Sequence, residues 1–165
     1  MDTEIKIEPI TERYFESYHK CLDAVARERI YLALVEAPAL DAVREFLHSI
    51  IAGDGVQFVA VNMGKVVGWC DIIPNKREGF QHNGSLGMGV LKAYRRKGIG
   101  EQLASAAIKS ARKMGLERVE LEVFASNIPA VKLYEKLGFE VEGVKKSARK
   151  IDGKVDDLIQ MVLFI

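Results

Sequence analysis

The chain has 165 residues, 48% apolar and 28% charged, and its 24 Lys and Arg nearly balance 23 Asp and Glu for a formal net charge of +1. That length suits one domain, residues 1–165, which buries roughly 70% of the surface its unfolded form exposes and needs neither disulfide nor metal to hold a core. Near-neutrality excludes a nucleic-acid binder held by bulk charge and an acidic disordered tail.

Residues 4–8 alternate polar and apolar before Pro9, which predicts a short first strand. Thr11 suits a helix N-cap, and Tyr14, Phe15, Tyr18, Leu22 and Val25 recur at helical spacing up to about Arg29. Residues 30–40, IYLALVEAPAL, are apolar without a clean period and are broken by Pro38, so they read as a covering loop. Residues 41–52 form a second amphipathic helix, with Val43, Phe46, Leu47 and Ile50 inward and Gly53 as its stop. The period then changes. Residues 57–62 and 65–73 are strand-like and joined by the hairpin signal Asn62-Met63-Gly64. Residues 74–84 are a polar loop and 85–91 a strand with glycines at 87 and 89. Residues 98–114 are a helix with the stripe Ile99, Leu103, Ala107, Ala111 and Met114, stopped by Gly115. A strand at 119–124, a helix at 127–137 ended by Gly138, and strands at 139–144 and 155–164 around Asp152-Gly153 complete the chain. The order predicts an α/β (α+β) fold: a single mixed, mostly antiparallel sheet of about seven strands with helices on both faces.

Cys21 and Cys70 stand 49 positions apart with no CxxC or CxxH spacing, and His19, His48 and His82 form no HExxH. No metal site is expected, and the cysteines read as ordinary cytosolic thiols. The first residues, MDTEIKIEP, are polar, and no apolar run approaches the length of a membrane span. A cytoplasmic protein with no membrane or nucleic-acid partner is expected.

The most informative segment runs from Gly87 to Gly100, GMGVLKAYRRKGIG, from a strand through a short basic loop into a helix. A helix N-terminus exposes unpaired N–H groups and partial positive charge. Gly98 and Gly100 carry no Cβ to hold a ligand away, and Arg95, Arg96 and Lys97 add cationic charge beside them. The segment therefore suits a pyrophosphate, with a tight glycine turn as the plain alternative. It is neither a GxxxxGK[ST] loop nor a GxGxxG fingerprint, since Leu103 stands where the third glycine belongs. In the second segment, Asn127 to Phe139, Asn127 suits a helix cap and Tyr134 a core position.

RRKGIG after a short strand, followed 27 residues later by NxxAxxLYEKLGF, resembles the GNAT superfamily of acyl-CoA-dependent N-acetyltransferases. Arg95, Gly98 and Gly100 match its [RQ]xxGx[GA] motif, and the second segment matches its last helix and following strand. The resemblance implies a GNAT-like fold over essentially the whole chain and acetyl-CoA as cosubstrate. It implies that Arg95, Arg96, Lys97, Gly98, Ile99 and Gly100 cradle the coenzyme pyrophosphate. Met88, Gly89 and Val90 would meet the pantetheine arm, with the Val90 N–H as an oxyanion donor. Asn127 and Ala130 would contact the cofactor, and Tyr134 would protonate the departing thiolate.

One departure follows. Some relatives carry a catalytic glutamate on the strand before the pyrophosphate loop, and residues 85–91 hold no carboxylate. Deprotonation of the acceptor is left to water, to His82, or to Glu120 or Glu122. Glu36, in the loop 30–40, is a candidate for meeting a cationic amine. The expected activity is acetyl transfer to a primary amine, a small amine or an amino acid. The alternatives are acetylation of peptide N-termini or lysines, and a non-catalytic acyl-CoA-binding module. A homodimer is expected by resemblance. The net charge hides a polarity: residues 1–64 hold 6 basic and 11 acidic side chains, while residues 92–113 hold seven basic ones against Glu101 alone.

Overall fold

Apolar alternation builds most of the strands, and hydrogen bonding to a neighbour extends them. The computed structural model describes residues 4–165. Its strands are β1 (Lys6–Pro9), β2 (Val56–Asn62), β3 (Lys65–Pro74), β4 (Asn83–Val90), β5 (Arg118–Phe124), β6 (Glu140–Ile151) and β7 (Lys154–Phe164). They form one sheet ordered β1-β2-β3-β4-β5-β7-β6. Every neighbouring pair is antiparallel except β4 and β5, which run parallel. The helices are α1 (Phe15–Ala26), α2 (Leu40–Ser49), α3 (Ile99–Lys113) and α4 (Ile128–Lys136).

The strand period divides the core into two layers. On one face α1 and α2 pack Tyr18, Leu22, Val25 and Leu47 against Val59, Val61 and Trp69. On the other, Leu103, Ala107 and Ala111 of α3 and Tyr134 of α4 pack against Cys70, Ile72, Val119, Leu121 and Met161. Adjacent residues of β3 thus serve opposite layers, and each fully buried Leu or Ile contributes about 1.5–3 kcal/mol. No helix among the described residues is long and apolar enough to cross a membrane.

Several boundaries differ from the sequence reading. Thr11 makes no side-chain cap; a 3₁₀ turn, Glu12–Tyr14, precedes α1. That turn brings the Tyr14 hydroxyl back to donate to Glu8 at 2.7 Å. The first helix stops at Ala26 rather than about Arg29, whose φ of 60° is left-handed and whose guanidinium pairs with Asp152 at 2.9 and 3.0 Å. α2 ends at Ser49 and passes into a π-helical turn over Ile50–Asp54, with Gly53 at φ 107°. β6 reaches Ile151, well past the expected 144, because β7 supplies its ladder through two register shifts. Charged residues on such an edge strand deter pairing with another sheet.

Two features position the site. First, β4 and β5 pair only at Asn83–Ser85 with Arg118–Glu120, and beyond Ser85 they part into a V. The closed end is fastened by the His82 carbonyl, which accepts the Glu117 and Arg118 N–H groups at 3.0 and 3.2 Å. Second, the β6–β7 hairpin is fastened to the loop between α1 and α2. Arg149 donates to the carbonyls of Arg29, Ile30 and Leu32 at 3.1, 2.8 and 3.3 Å, and its guanidinium stacks 4.1 Å over Phe124. The loop expected to cover something is therefore pinned from the far side of the sheet.

Candidate active site

The V exposes one edge of β4. The Asn83 carbonyl accepts from Asn75 N–H at 2.9 Å, and Leu91 N–H donates to Val67 O at 2.8 Å, so odd-numbered residues at both ends of β4 turn their backbone groups toward β3. Strand alternation then turns the N–H and C=O of Met88 and the N–H of Val90 toward β5, where no strand pairs with them among the described residues. The Val90 carbonyl, on the same edge, is taken by Arg95 Nε at 2.8 Å. Gly89 faces β3 with its backbone and serves a different purpose. An added Cβ there would fall 2.7 Å from Trp69 Cζ3, 3.0 Å from Cζ2 and closer still to Cη2. The far edge of the indole thus occupies the space of a Gly89 side chain. Gly89→Ala is expected to destabilise the fold by about 1–3 kcal/mol through this overpacking, read as a lower urea midpoint with an unchanged m-value.

β4 leads through a 3₁₀ turn, Lys92–Tyr94, to the N-terminus of α3. Gln102 N–H, donating to Gly98 O at 3.2 Å, closes the first helical ring, so the N–H groups of Ile99, Gly100 and Glu101 precede any intrahelical acceptor. Gly98 has φ 77° and open space where a Cβ would stand, so it is glycine for its backbone angle. Gly100 is glycine for packing: a Cβ would sit 3.2 Å from both Met88 Cε and Leu133 Cδ2. Arg96 and Lys97 are exposed. Arg95 is not a free cation. Its guanidinium forks onto Glu28 at 2.9 and 2.5 Å and lies 4.4 Å over the Tyr31 ring. It ties the loop after α1 to the loop before α3, which is a positioning task.

α4 contributes the third wall. Asn127 Oδ1 accepts Ala130 N–H at 3.4 Å, a helix cap, and Ala130 packs against the core. Tyr134 is buried, with its ring edge-on to Phe139 at 5.8 Å. Burial pushes its phenol well above the usual tyrosine range, and the neighbouring Cys70 pushes it further. Cys70 stands opposite Met88 in the β3–β4 register, so the phenol is coupled to the strand that edges the V. Burial also raises the Cys70 thiol far above its ordinary value, so it carries no nucleophilic thiolate.

The acceptor-side candidates do not assemble. Glu36 is exposed and pairs with Arg27 at 3.4 Å. His82 lies exposed at the closed end of the V. Glu120 is held by Arg118, and Glu122 by Lys145 at 2.8 Å. A cavity of about 530 Å³ near Glu8, Arg13, Tyr14 and Met63 is at the β1–β2 edge, remote from the V. The residue missing from the sequence reading is Asp71 of β3, half-buried, opposite Gly87 of β4. Its carboxyl is pushed up to about 7 by desolvation alone. The signal was present in Gly68-Trp-Cys-Asp-Ile-Ile73: one carboxylate inside an apolar strand.

An open V between parallel strands, a helix N-terminus at its mouth and a buried tyrosine beside it define an acyltransferase type of fold. The chain belongs to the acetyltransferase (GNAT) family, whose model matches residues 13–139. It is 33% identical over 106 residues to the L-amino acid N-acetyltransferase AaaT of Escherichia coli strain K12, covering 64% of this chain and 65% of that one. It is 40% identical over 94 residues to an N-alpha-acetyltransferase of Sulfurisphaera tokodaii, covering 50% of this chain and 55% of that one. The chain thus spans less than two thirds of either relative. Among solved structures, an acetyltransferase of the GNAT family from Streptococcus pneumoniae superposes with a TM-score of 0.92 at 27% identity, covering 98% of this chain and 100% of that one.

Proposed function

We propose that the chain is an acetyl-CoA-dependent N-acetyltransferase acting on a primary amine, either a small amine or an amino acid. The observation that carries this reading is the unpaired edge of β4, with Met88 and Val90 N–H groups turned into the V, leading directly to the free N-terminus of α3. These groups fit the two ends of the cosubstrate. An amide-bearing arm adds to a strand edge as a further strand would, and a pyrophosphate suits the N–H groups of Ile99, Gly100 and Glu101 beside Arg96 and Lys97.

Acetyl-CoA supplies an acyl group already activated as a thioester, and the chain's residues supply the rest. A Met88 or Val90 N–H aimed into the V stabilises negative charge on a carbonyl oxygen. Tyr134 holds a proton to high pH and delivers it on the sulfur side. Arg95 and Gly98 fix the loop between these groups.

The test is release of free thiol from acetyl-CoA across a panel of amino acids, polyamines and N-terminal peptides. Turnover with free amines or amino acids is expected. Preference for peptides would replace that acceptor class by protein N-termini, a reading supported by similarity to the Sulfurisphaera tokodaii enzyme. Binding of acetyl-CoA with no turnover anywhere would make the chain a binding module.

A further inference from the structure

Asp71 has no task in the arrangement above, and its surroundings are unusual. In register, Gln57 of β2, Asp71 of β3 and Gly87 of β4 form one row across the sheet. The row lies on the Trp69 face, away from the layer that holds Tyr134. Asp71 Oδ1 lies 3.3 Å from where a Cβ at Gly87 would be, so the missing side chain is what admits the carboxylate over β4, toward the V. Gln57 is only 2% exposed, and its amide reaches only the Tyr18 hydroxyl, outside ordinary hydrogen-bond geometry. Asp71 makes no ion pair or hydrogen bond among the described residues, and the residue is not fully buried. Buried polar groups are normally satisfied. An unpaired carboxylate beside an amide that reaches only a phenol hydroxyl, with no cation near, is complementary to an ammonium ion.

We propose that Asp71 is the acceptor-side carboxylate: it receives the ammonium of a small primary amine, with Gln57 beside it, and takes the proton that must leave before the nitrogen can react. The inference rests on the N-acetyltransferase reading and names the base that reading lacks. The balance is simple. R–NH₃⁺ gives one proton to the Asp71 carboxylate, which passes it to water, leaving R–NH₂. The nitrogen's lone pair forms the bond to the acyl carbon, and the pair of the broken C–S bond stays on sulfur. The nitrogen's second proton, lost as the amide forms, replaces the one Tyr134 gives to sulfur. One proton is released per turnover.

The groups facing Asp71 are few. Tyr18 of α1 faces it and Cys21 stands one turn further on; both are raised by burial and stay neutral near pH 7. β2 presents the neutral Gln57, β4 presents Gly87, and on β3 the adjacent Cys70 is a protonated thiol. The acid limb of activity therefore belongs to Asp71, whose carboxyl titrates at about 7.

The test pairs kinetics with a titration. For Asp71→Asn we expect kcat/KM for the best panel amine to fall by about 10²-fold or more, with acetyl-CoA affinity unchanged. The acid limb near neutrality should vanish, the rate rising instead toward the amine's own ionisation, and Asp71→Glu should recover part of the loss. In the wild type, the ¹³C carboxyl resonance of Asp71 should titrate at lower pH when ethylammonium chloride is added. An Asn variant with wild-type rate and pH profile overturns the proposal and leaves the acetyltransferase reading standing. A resonance that ignores ethylammonium overturns it too. Ethylammonium bound at Asp71 in a protein that transfers nothing supports the cation site and overturns the acetyltransferase reading.

Discussion

Tyr134→Phe is expected to lower turnover by roughly 10²–10⁴-fold while acetyl-CoA binding stays the same. The departing sulfur is an anion whose conjugate acid has a pKa of about 8.5, so a proton delivered at the right moment removes much of the barrier to its release. Tyr134 is placed to keep that proton: burial and the neighbouring Cys70 both disfavour its phenolate. The same burial means that no alkaline limb from Tyr134 should appear in the working pH range. The ring's contacts, including Phe139 at 5.8 Å, are kept in the Phe variant, so binding and stability should be nearly untouched. A chemical readout separates proton delivery from packing: thioesters with more acidic leaving thiols need less help and should lose less rate. Wild-type turnover by the Phe variant would remove Tyr134 from the mechanism.

Much of the architecture could be read in advance where glycine or a strict period leaves little choice. Met63-Gly64 and Asp152-Gly153 adopt the left-handed pairs that a two-residue hairpin turn needs. The stripe Leu103, Ala107, Ala111 put α3 where it is, because those residues repeat at one turn's spacing and have one sheet face to meet. The second half of β6 was illegible for the opposite reason. Residues 145–150 are mostly polar on both faces and are strand only because β7 lies alongside.

The site divides in the same way. Glycine and charge pointed to the N-terminus of α3, since backbone N–H groups at a helix start are a local property. The gap between β4 and β5 is a property of two strands together, and no residue announces it. Arg95 shows the limit most plainly. It is one of the seven basic side chains of residues 92–113, yet Glu28, 67 positions earlier and within the acidic N-terminal part, neutralises it at 2.5 Å. The two charge blocks are thus joined at one point rather than merely opposed. Asp71 was overlooked because its meaning depends on partners it does not have.

That absence has a consequence for stability. Asp71→Asn is expected to stabilise the protein at pH 8 and to leave it unchanged near pH 4. In the unfolded chain the carboxyl titrates at about 3.9; in the fold, desolvation pushes it up to about 7. The folded state therefore binds this proton more tightly. Its contribution is fully present below about pH 4, is lost as pH rises toward 7, and stays lost above. That difference corresponds to about 4 kcal/mol as an upper bound, or roughly 8–16 °C in Tm for a chain of this size. Asparagine has no charge to bury, so urea midpoints of the two proteins should coincide at pH 4 and separate through pH 7. Parallel curves would mean that the fold compensates the Asp71 charge. A small ammonium ligand should narrow the gap at pH 8 by stabilising the wild type alone, because only the wild type offers it a carboxylate. The more stable variant is then the less active one, as expected where a fold retains an unpaired charge in order to act on a cation.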